Sequence, residues 1–143
     1  MAKKWPSKAK GKREKAKVNP PPQDKPWDIR ERTFAFAVRV VKFCRKLERE
    51  HRVERALISQ LLRAATSIGA NAEEAQAGQS RADFISKNAI CLKEARETHY
   101  WLRLLSAAEI ASGPELAALQ QEAGELMKIF GAIVTSAKRS NRA

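Results

Sequence analysis

The apolar residues of this chain recur every three or four positions, a spacing that indicates α-helices. In the first such segment, Asp28 is followed three residues later by Glu31, a pattern typical of a helix N-cap. The apolar positions after this cap are predicted to form one wide buried stripe. They are Phe36, Ala37, Val40, Val41, Phe43, Cys44 and Leu47.

Three further helical patterns follow the first. The second runs from about Val53 to Ala77, where Gly78 is predicted to stop it, and the third from a Ser80–Asp83 cap to about Ala111. The fourth begins at Pro114. No strand pattern appears. The chain is therefore predicted to be all-α, with an antiparallel up-and-down four-helix bundle over residues 28–139 and a frayed tail over 140–143.

Small residues are frequent within these helices. Hydrophobic residues make up 43% of the 143-residue chain, and many of them are alanine, which buries little area per residue. Gly69 lies in the middle of the second helix, where it costs about 0.8–1.0 kcal/mol relative to alanine. Close approach of a neighbouring backbone is the expected compensation. This composition predicts tightly packed helices, with further burial between subunits.

The charge of the chain is strongly positive and unevenly distributed. The formal net charge is +12, and residues 1–26 contribute nine Lys/Arg against two acids. Lysines followed by prolines predict a disordered basic arm over residues 1–27. Such an excess favours polyanions, most often nucleic acid, although a purely solubilising extension is the alternative interpretation. The arm residues predicted to contact phosphates are Lys3, Lys4, Lys8, Lys10, Lys12, Arg13, Lys15 and Lys17.

The first helix carries a second group of basic residues, opposite its apolar stripe. An ordinary solvated surface is the simpler explanation for one such helix face, and a phosphate-binding face is the functional one. The predicted contacts are Arg39, Lys42, Arg45, Lys46 and Arg49.

Catalytic chemistry finds little support in the sequence. A di-iron bundle needs two Glu-x-x-His pairs, and only Glu48–His51 matches. Cys44 and Cys91 fall on apolar stripes, where thiols stay protonated, so they are predicted to be reduced core residues of a cytoplasmic protein. No apolar run reaches the ~20 residues that span a membrane, and no secretory signal is present. We therefore predict a non-enzyme without metal or cofactor.

Charged and aromatic residues in the middle of the third helix are predicted to serve assembly. Carboxylates there have arginines available to neutralise them, which favours a salt-bridged layer between helices or subunits over acid–base catalysis. Adjacent aromatic residues fan across more than one helix face, so at least one should lie outside the core of the single chain. Such a residue contacts either another subunit or a ligand, and the alanine-rich helices favour the subunit. The predicted interface residues are Arg63, Asn71, Glu74, Glu94, Glu97, Tyr100 and Trp101.

Several short segments occur together in this chain at a specific joint spacing. They are Arg32-Thr33, Phe36-Ala37-Val38, Gln60-Leu-Leu-Arg63, Thr66-Ser67-Ile68-Gly69-Ala70-Asn71, Glu74-Ala75, Ser80-Arg81-x-Asp83-Phe84, Lys93-Glu94-Ala95-Arg96-Glu97-Thr98 and Tyr100-Trp101-Leu102. Through this joint spacing, the chain resembles a known family of four-helix-bundle proteins, which includes the proteins encoded by intervening sequences within bacterial 23S ribosomal RNA genes. The resemblance covers about residues 28–135 and leaves out the basic arm.

The resemblance implies an antiparallel bundle that assembles into a ring, commonly a pentamer, and it does not imply an enzyme. A related accessory protein of diversity-generating retroelements is a pentamer whose basic surface binds nucleic acid and a reverse transcriptase. We therefore predict a homo-oligomer that binds nucleic acid, structured RNA in particular, through its basic face and arm. The alternative is a protein-interaction scaffold, such as an accessory subunit of a polymerase, without direct nucleic-acid binding.

Overall fold

The computed structural model describes residues 28–50 and 54–141, and all of its regular elements are helices. The all-α, four-helix prediction is confirmed, since no described residue lies in a strand. The predicted arm, residues 51–53 and residues 142–143 lie outside the described residues. The helices are α1 (Ile29–Glu50), α2 (Arg55–Ala77), α3 (Arg81–Ala107) and α4 (Pro114–Asn141).

The predicted helix starts at Asp28 and Ser80 are confirmed by side-chain capping. The Asp28 carboxylate accepts a hydrogen bond from the backbone N–H of Arg30 at 2.9 Å. The Ser80 hydroxyl oxygen accepts one from the backbone N–H of Asp83 at 3.1 Å. Each bond satisfies one of the backbone donors that a helix leaves unpaired at its first turn. Polar residues that the sequence places before the apolar stripes thereby fix where α1 and α3 begin.

The end of α3 differs from the prediction, because the helix stops at Ala107 and not near Ala111. Glu109 adopts a left-handed backbone conformation, with φ of 60°. The N–H of Ile110 then bonds the Leu105 carbonyl at 3.0 Å, and that of Glu109 bonds the Ser106 carbonyl at 3.1 Å. These two bonds form a Schellman motif. Ile110 still packs against the core. The apolar spacing that predicted a longer α3 therefore continues past the end of the helix.

Replacing Glu109 with glycine is expected to stabilise the protein by about 1 kcal/mol. A left-handed conformation costs a residue with a Cβ roughly 1–2 kcal/mol, and glycine adopts it without that cost. Chemical denaturation followed by circular dichroism measures the difference, with Glu109→Ala as the control that keeps the Cβ. Equal stability of the two variants would contradict the assignment of strain to this position.

The core contains large apolar side chains from all four helices, and α2 and α3 add buried alanines. Phe36 on α1 is 1% exposed and Phe130 on α4 is fully buried. On α2 and α3, Ala64, Ala65 and Ala95 have no exposed surface. Alanines at these positions let the two helices lie close together, as the composition predicts. α1 contacts α2 extensively and α4 only sparsely, so one side of α1 is weakly covered within the chain.

Gly69 lies where α2 meets α1, but the neighbouring backbone does not come close enough to require glycine, so the predicted compensation is wrong. A Cβ built on Gly69 would lie 3.5 Å from the backbone carbon and oxygen of Thr33 and from its hydroxyl oxygen. That distance is an ordinary van der Waals contact, so the neighbouring backbone leaves room for a methyl group. Thr33 is itself fully buried, and its hydroxyl donates to the Ile29 carbonyl at 2.8 Å.

Replacing Gly69 with alanine is therefore expected to raise the free energy of unfolding by about 0.8–1.0 kcal/mol, the difference in helix propensity. The added methyl group fits against Thr33 without displacing α1. Urea denaturation of the wild type and of Gly69→Ala measures the change. A loss of stability would mean that α1 and α2 approach more closely at Thr33 than these distances indicate.

Candidate nucleic-acid interface

The basic residues of α1 divide into a paired group and an unpaired group. Arg32 donates two hydrogen bonds to Glu122 of α4, at 2.5 and 3.2 Å, and these bonds raise the pKa of the guanidinium. Arg39, one of the predicted phosphate contacts, lies 3.4 Å from the Glu115 carboxylate. Both arginines thus link α1 to α4 where the two helices otherwise contact each other sparsely. Because Arg39 already pairs with a carboxylate of its own chain, it is a weaker candidate for a phosphate contact than a cation without such a partner.

The other four predicted contacts on α1 are free to bind an anion. All four side chains are exposed, and none forms an ion pair with another described residue. With 100° between successive residues, they fall on the side of α1 opposite its buried stripe. The structure therefore places together Lys42, Arg45, Lys46 and Arg49, which we call the α1 basic face. The eight predicted arm contacts lie outside the described residues.

An apolar groove between α1 and α2 adjoins this face, and the sequence patterns did not reveal it. Ala37 and Val41, predicted to be buried, are only partly covered, because they lie on the side of α1 that faces the groove. Phe34, which the predicted stripe left out, is 63% exposed and lines the same groove. The groove encloses about 500 Å³, and Lys42 and Arg45 of the α1 basic face also line it. The three- and four-residue spacing of Phe34, Ala37 and Val41 was the available signal.

A polar cluster joins α2 to α3, as the prediction of a salt-bridged layer between helices requires. Arg63 donates to Glu94 at 3.3 Å and also forms a hydrogen-bonded ion pair with Glu97. Trp101 donates its indole N–H to the same Glu97 carboxylate at 3.2 Å. Burial raises the pKa of Glu97, but the bonds from Arg63 and Trp101, together with the charges of Arg63 and Lys93, outweigh it and lower the pKa. These residues hold two helices of one chain together.

The remaining predicted interface residues have different surroundings. Asn71 donates to the Ser67 carbonyl of its own helix at 2.8 Å, and Glu74 pairs with Lys87 of α3 at 2.6 Å. Tyr100 is 52% exposed and meets the Trp101 ring edge-on, with ring centres 5.2 Å apart. Of the seven predicted interface residues, Tyr100 therefore presents the most free apolar surface.

The two cysteines are free thiols buried in the core. Cys44 donates to the Ile58 carbonyl at 3.9 Å and Cys91 to the Ile68 carbonyl at 3.4 Å. Burial raises the pKa of each thiol to about 12, so neither is a nucleophile at neutral pH. Within the described part of the chain, no three His, Cys, Asp or Glu side chains are grouped to hold a metal ion. Over the same residues, no helix has the length and apolar character needed to span a membrane.

The chain is similar to known proteins in sequence and in structure. A family model described as 23S rRNA-intervening sequence protein matches residues 25–132. The chain is also similar to a crystal structure of a protein with unknown function from the S23 ribosomal protein family of Bacteroides thetaiotaomicron VPI-5482. The TM-score is 0.69 and the sequence identity 39%, over 75% of this chain and 98% of that chain. No curated protein matches the chain.

Proposed function

Since this chain belongs to the 23S rRNA-intervening sequence protein family, we propose that it is a non-catalytic, homo-oligomeric protein that binds structured RNA. The observation that carries the proposal is the α1 basic face, four exposed cations without a carboxylate partner among the described residues. Cations that are not neutralised within the chain release the counterions of a nucleic acid when they contact its phosphates. Contacts of this kind provide affinity without sequence specificity.

The architecture that we propose for this function is an antiparallel, up-and-down bundle that forms a ring, a pentamer in particular. Two contacts support antiparallel neighbours: Thr33 lies against Gly69, whereas Cys44, farther along α1, bonds Ile58, nearer the start of α2. A ring repeats the α1 basic face once per copy, and the arms add further cations, so that weak contacts combine into higher affinity. The buried free thiols support a reducing, cytoplasmic location.

The salt dependence of RNA binding tests the proposal. Four phosphate contacts give a slope of about −3.6 in log affinity against log salt, which is about a 100-fold loss between 50 and 200 mM salt. The full chain should have a steeper slope than the same protein without residues 1–27, because the arm adds lysines. The truncated protein should retain the slope of the α1 basic face. Affinity that is insensitive to salt would contradict the proposal, and loss of all binding on truncation would assign it to the arm alone.

A second candidate function is a scaffold or accessory subunit for a polymerase such as a reverse transcriptase. The observation that favours it is the apolar groove between α1 and α2, since such grooves accept helices of other proteins. Capture of a polymerase that persists after nuclease treatment would support this function. If nuclease treatment abolishes capture of the polymerase, RNA bridges the two proteins and is the direct ligand of this chain.

A further inference from the structure

The apolar groove between α1 and α2, which we call the α1–α2 groove, has one end at the start of α1. Phe34 is 63% exposed there, and its side chain lines both the groove and a smaller depression beside it. Asp28, the residue that caps α1, lines the same smaller depression. The part of the chain that precedes Asp28 therefore joins the bundle at this end of the groove, which we call its mouth.

The charges along the groove differ between the mouth and the far end. At the mouth, Glu31 and Glu73 are exposed and form no ion pair with another described residue, whereas Arg30 already has a carboxylate partner. Farther along, Lys42 and Arg45 of the α1 basic face line the groove. A lysine-rich chain is therefore repelled from the far end, and a single cation is favoured at the mouth.

The segment directly before α1 has the composition that such a groove accepts. Residues 20–27 read PPPQDKPW, so they carry prolines, a tryptophan and one charge of each sign. The arm residues predicted to contact phosphates end at Lys17 and are not part of this segment. Proline-rich segments favour the polyproline II conformation and bind grooves that present aromatic side chains. The cation of the segment, Lys25, is close in sequence to Asp28 and can reach the carboxylates at the mouth.

The segment is long enough to follow the groove. Eight residues in the polyproline II conformation span roughly 25 Å, at about 3.1 Å per residue. Asp28 and Val41 are about 20 Å apart along α1, since a helix rises about 1.5 Å per residue. A chain that turns back at Asp28 can therefore cover Phe34 and reach Val41. Lys42 and Arg45 are exposed at the far edge, so their charged ends remain in water while their stems border the groove.

We propose that residues 20–27 bind in the α1–α2 groove of their own chain, with the Trp27 ring against Phe34 and Lys25 near Glu31 and Glu73. Side chains of a helix lean toward its N-terminus, which brings the Phe34 ring toward the mouth. The tether favours this occupant over a second copy or another protein, because a segment joined directly to the site has an effective concentration in the millimolar range.

Docking of the segment determines where the arm leaves the bundle. The chain that enters the groove at the mouth leaves it beside Lys42, so the arm lysines emerge next to the α1 basic face. Arm and face then form one continuous cationic surface. This consequence rests on the proposed function, whereas the docking of the segment does not.

Disulfide capture in the full-length chain tests the docking. Gln23→Cys on the segment is combined with Ala70→Cys, an exposed position that lines the groove. Ala70 adjoins Gly69, which contacts Thr33, so it lies near the start of α1. Under mild oxidation, this pair should form an intrachain disulfide, detected by non-reducing electrophoresis and mass spectrometry. The native cysteines are buried and do not compete.

A second pair of cysteines is the matched control. Gln23→Cys is combined with Gln121→Cys, an exposed position on α4 that adjoins Glu122, the partner of Arg32. Ala70 and Gln121 thus lie at a similar height along α1, one inside the groove and the other outside it. The Ala70 pair should close about tenfold faster than the control pair, because docking raises the concentration of one thiol around the other. Adding Phe34→Ala should reduce its rate to that of the control.

The outcomes separate the docking from its consequence for RNA. Equal rates in the two pairs overturn the docking. Disulfides that form only between chains, at a rate that rises with protein concentration, overturn the assignment to the chain's own segment. The oxidised Ala70 pair should bind an RNA hairpin at least as tightly as its reduced form, and weaker binding overturns the continuous cationic surface. If neither form binds RNA, the proposed function fails while intrachain capture still supports the docking.

Discussion

Reversing the charge of the α1 basic face is expected to lower RNA affinity by about 1,000-fold at 0.1 M salt. Four phosphate contacts with a slope of about −3.6 contribute a factor of that order through counterion release. The four substitutions are Lys42→Glu, Arg45→Glu, Lys46→Glu and Arg49→Glu. All four side chains are exposed and unpaired within the described residues, so the helical content should not change. Fluorescence anisotropy with a labelled RNA hairpin measures the affinity.

A matched control separates the location of the charge from its amount. Four exposed cations on the other helices are reversed in the same way, which changes the net charge equally. These are Arg55, Arg81, Lys138 and Arg139. The control should lose much less affinity than the α1 variant. Equal losses would mean that RNA responds to the overall charge of the protein and that α1 has no special part in binding.

Two phenylalanines on α1 provide the largest expected contrast in stability. Phe36 is 1% exposed and Phe34 is 63% exposed, although only two residues separate them. Phe36→Ala is expected to cost about 3–5 kcal/mol, because it removes core packing and leaves a cavity. Phe34→Ala should change the stability of the single chain by less than about 0.5 kcal/mol. The same substitution is thus expected to be costly on one side of the helix and nearly neutral on the other.

Protein concentration distinguishes the two effects in thermal denaturation. If Phe34 lies in a subunit contact, the melting temperature of the wild type rises with concentration and that of Phe34→Ala does not. The cost of Phe36→Ala should be present at every concentration, since the cavity forms within one chain. A large loss of single-chain stability in Phe34→Ala would contradict its placement on the surface.

The four helices follow from the sequence because their local signals agree. Asp28 and Ser80 cap the helices that they precede, and Pro114 begins α4. The end of α3 does not follow in the same way. Glu109 occupies a left-handed position that usually favours glycine, so the sequence gives no stop signal there. Ile110 continues the apolar spacing of α3 although the helix has already ended. Spacing alone therefore cannot show whether a core residue lies in the helix or just after it.

The candidate site was harder to predict than the fold, for a physical reason. A helical pattern places Arg39 beside Lys42, but the pairing of Arg39 with Glu115 depends on how α4 packs against α1. Likewise, Val41 has the spacing of a core residue, but it lies at the open groove between α1 and α2 and is only partly covered. Spacing indicates which residues share a face, whereas the other helices decide whether that face is covered.

The residues through which the chain resembles its family have structural roles in this fold. Arg32 pairs with Glu122, and the adjacent Thr33 packs against Gly69. Arg63 joins α2 to α3 through two glutamates, and Ser80 caps α3. Such residues stabilise the packing of the four helices. Family membership therefore identifies the architecture, and the α1 basic face and the α1–α2 groove carry the information about partners.

The depth of the two thiols has a practical consequence for spectroscopy. Cys44 and Cys91 are 3% and 0% exposed, and burial keeps both protonated at neutral pH. Maleimide reagents require an accessible thiolate, so the native cysteines should remain unlabelled while the protein is folded. A single cysteine introduced on the surface would then carry one dye per chain. Energy transfer between such dyes would then test whether copies of the chain associate, without removing either native cysteine from the core.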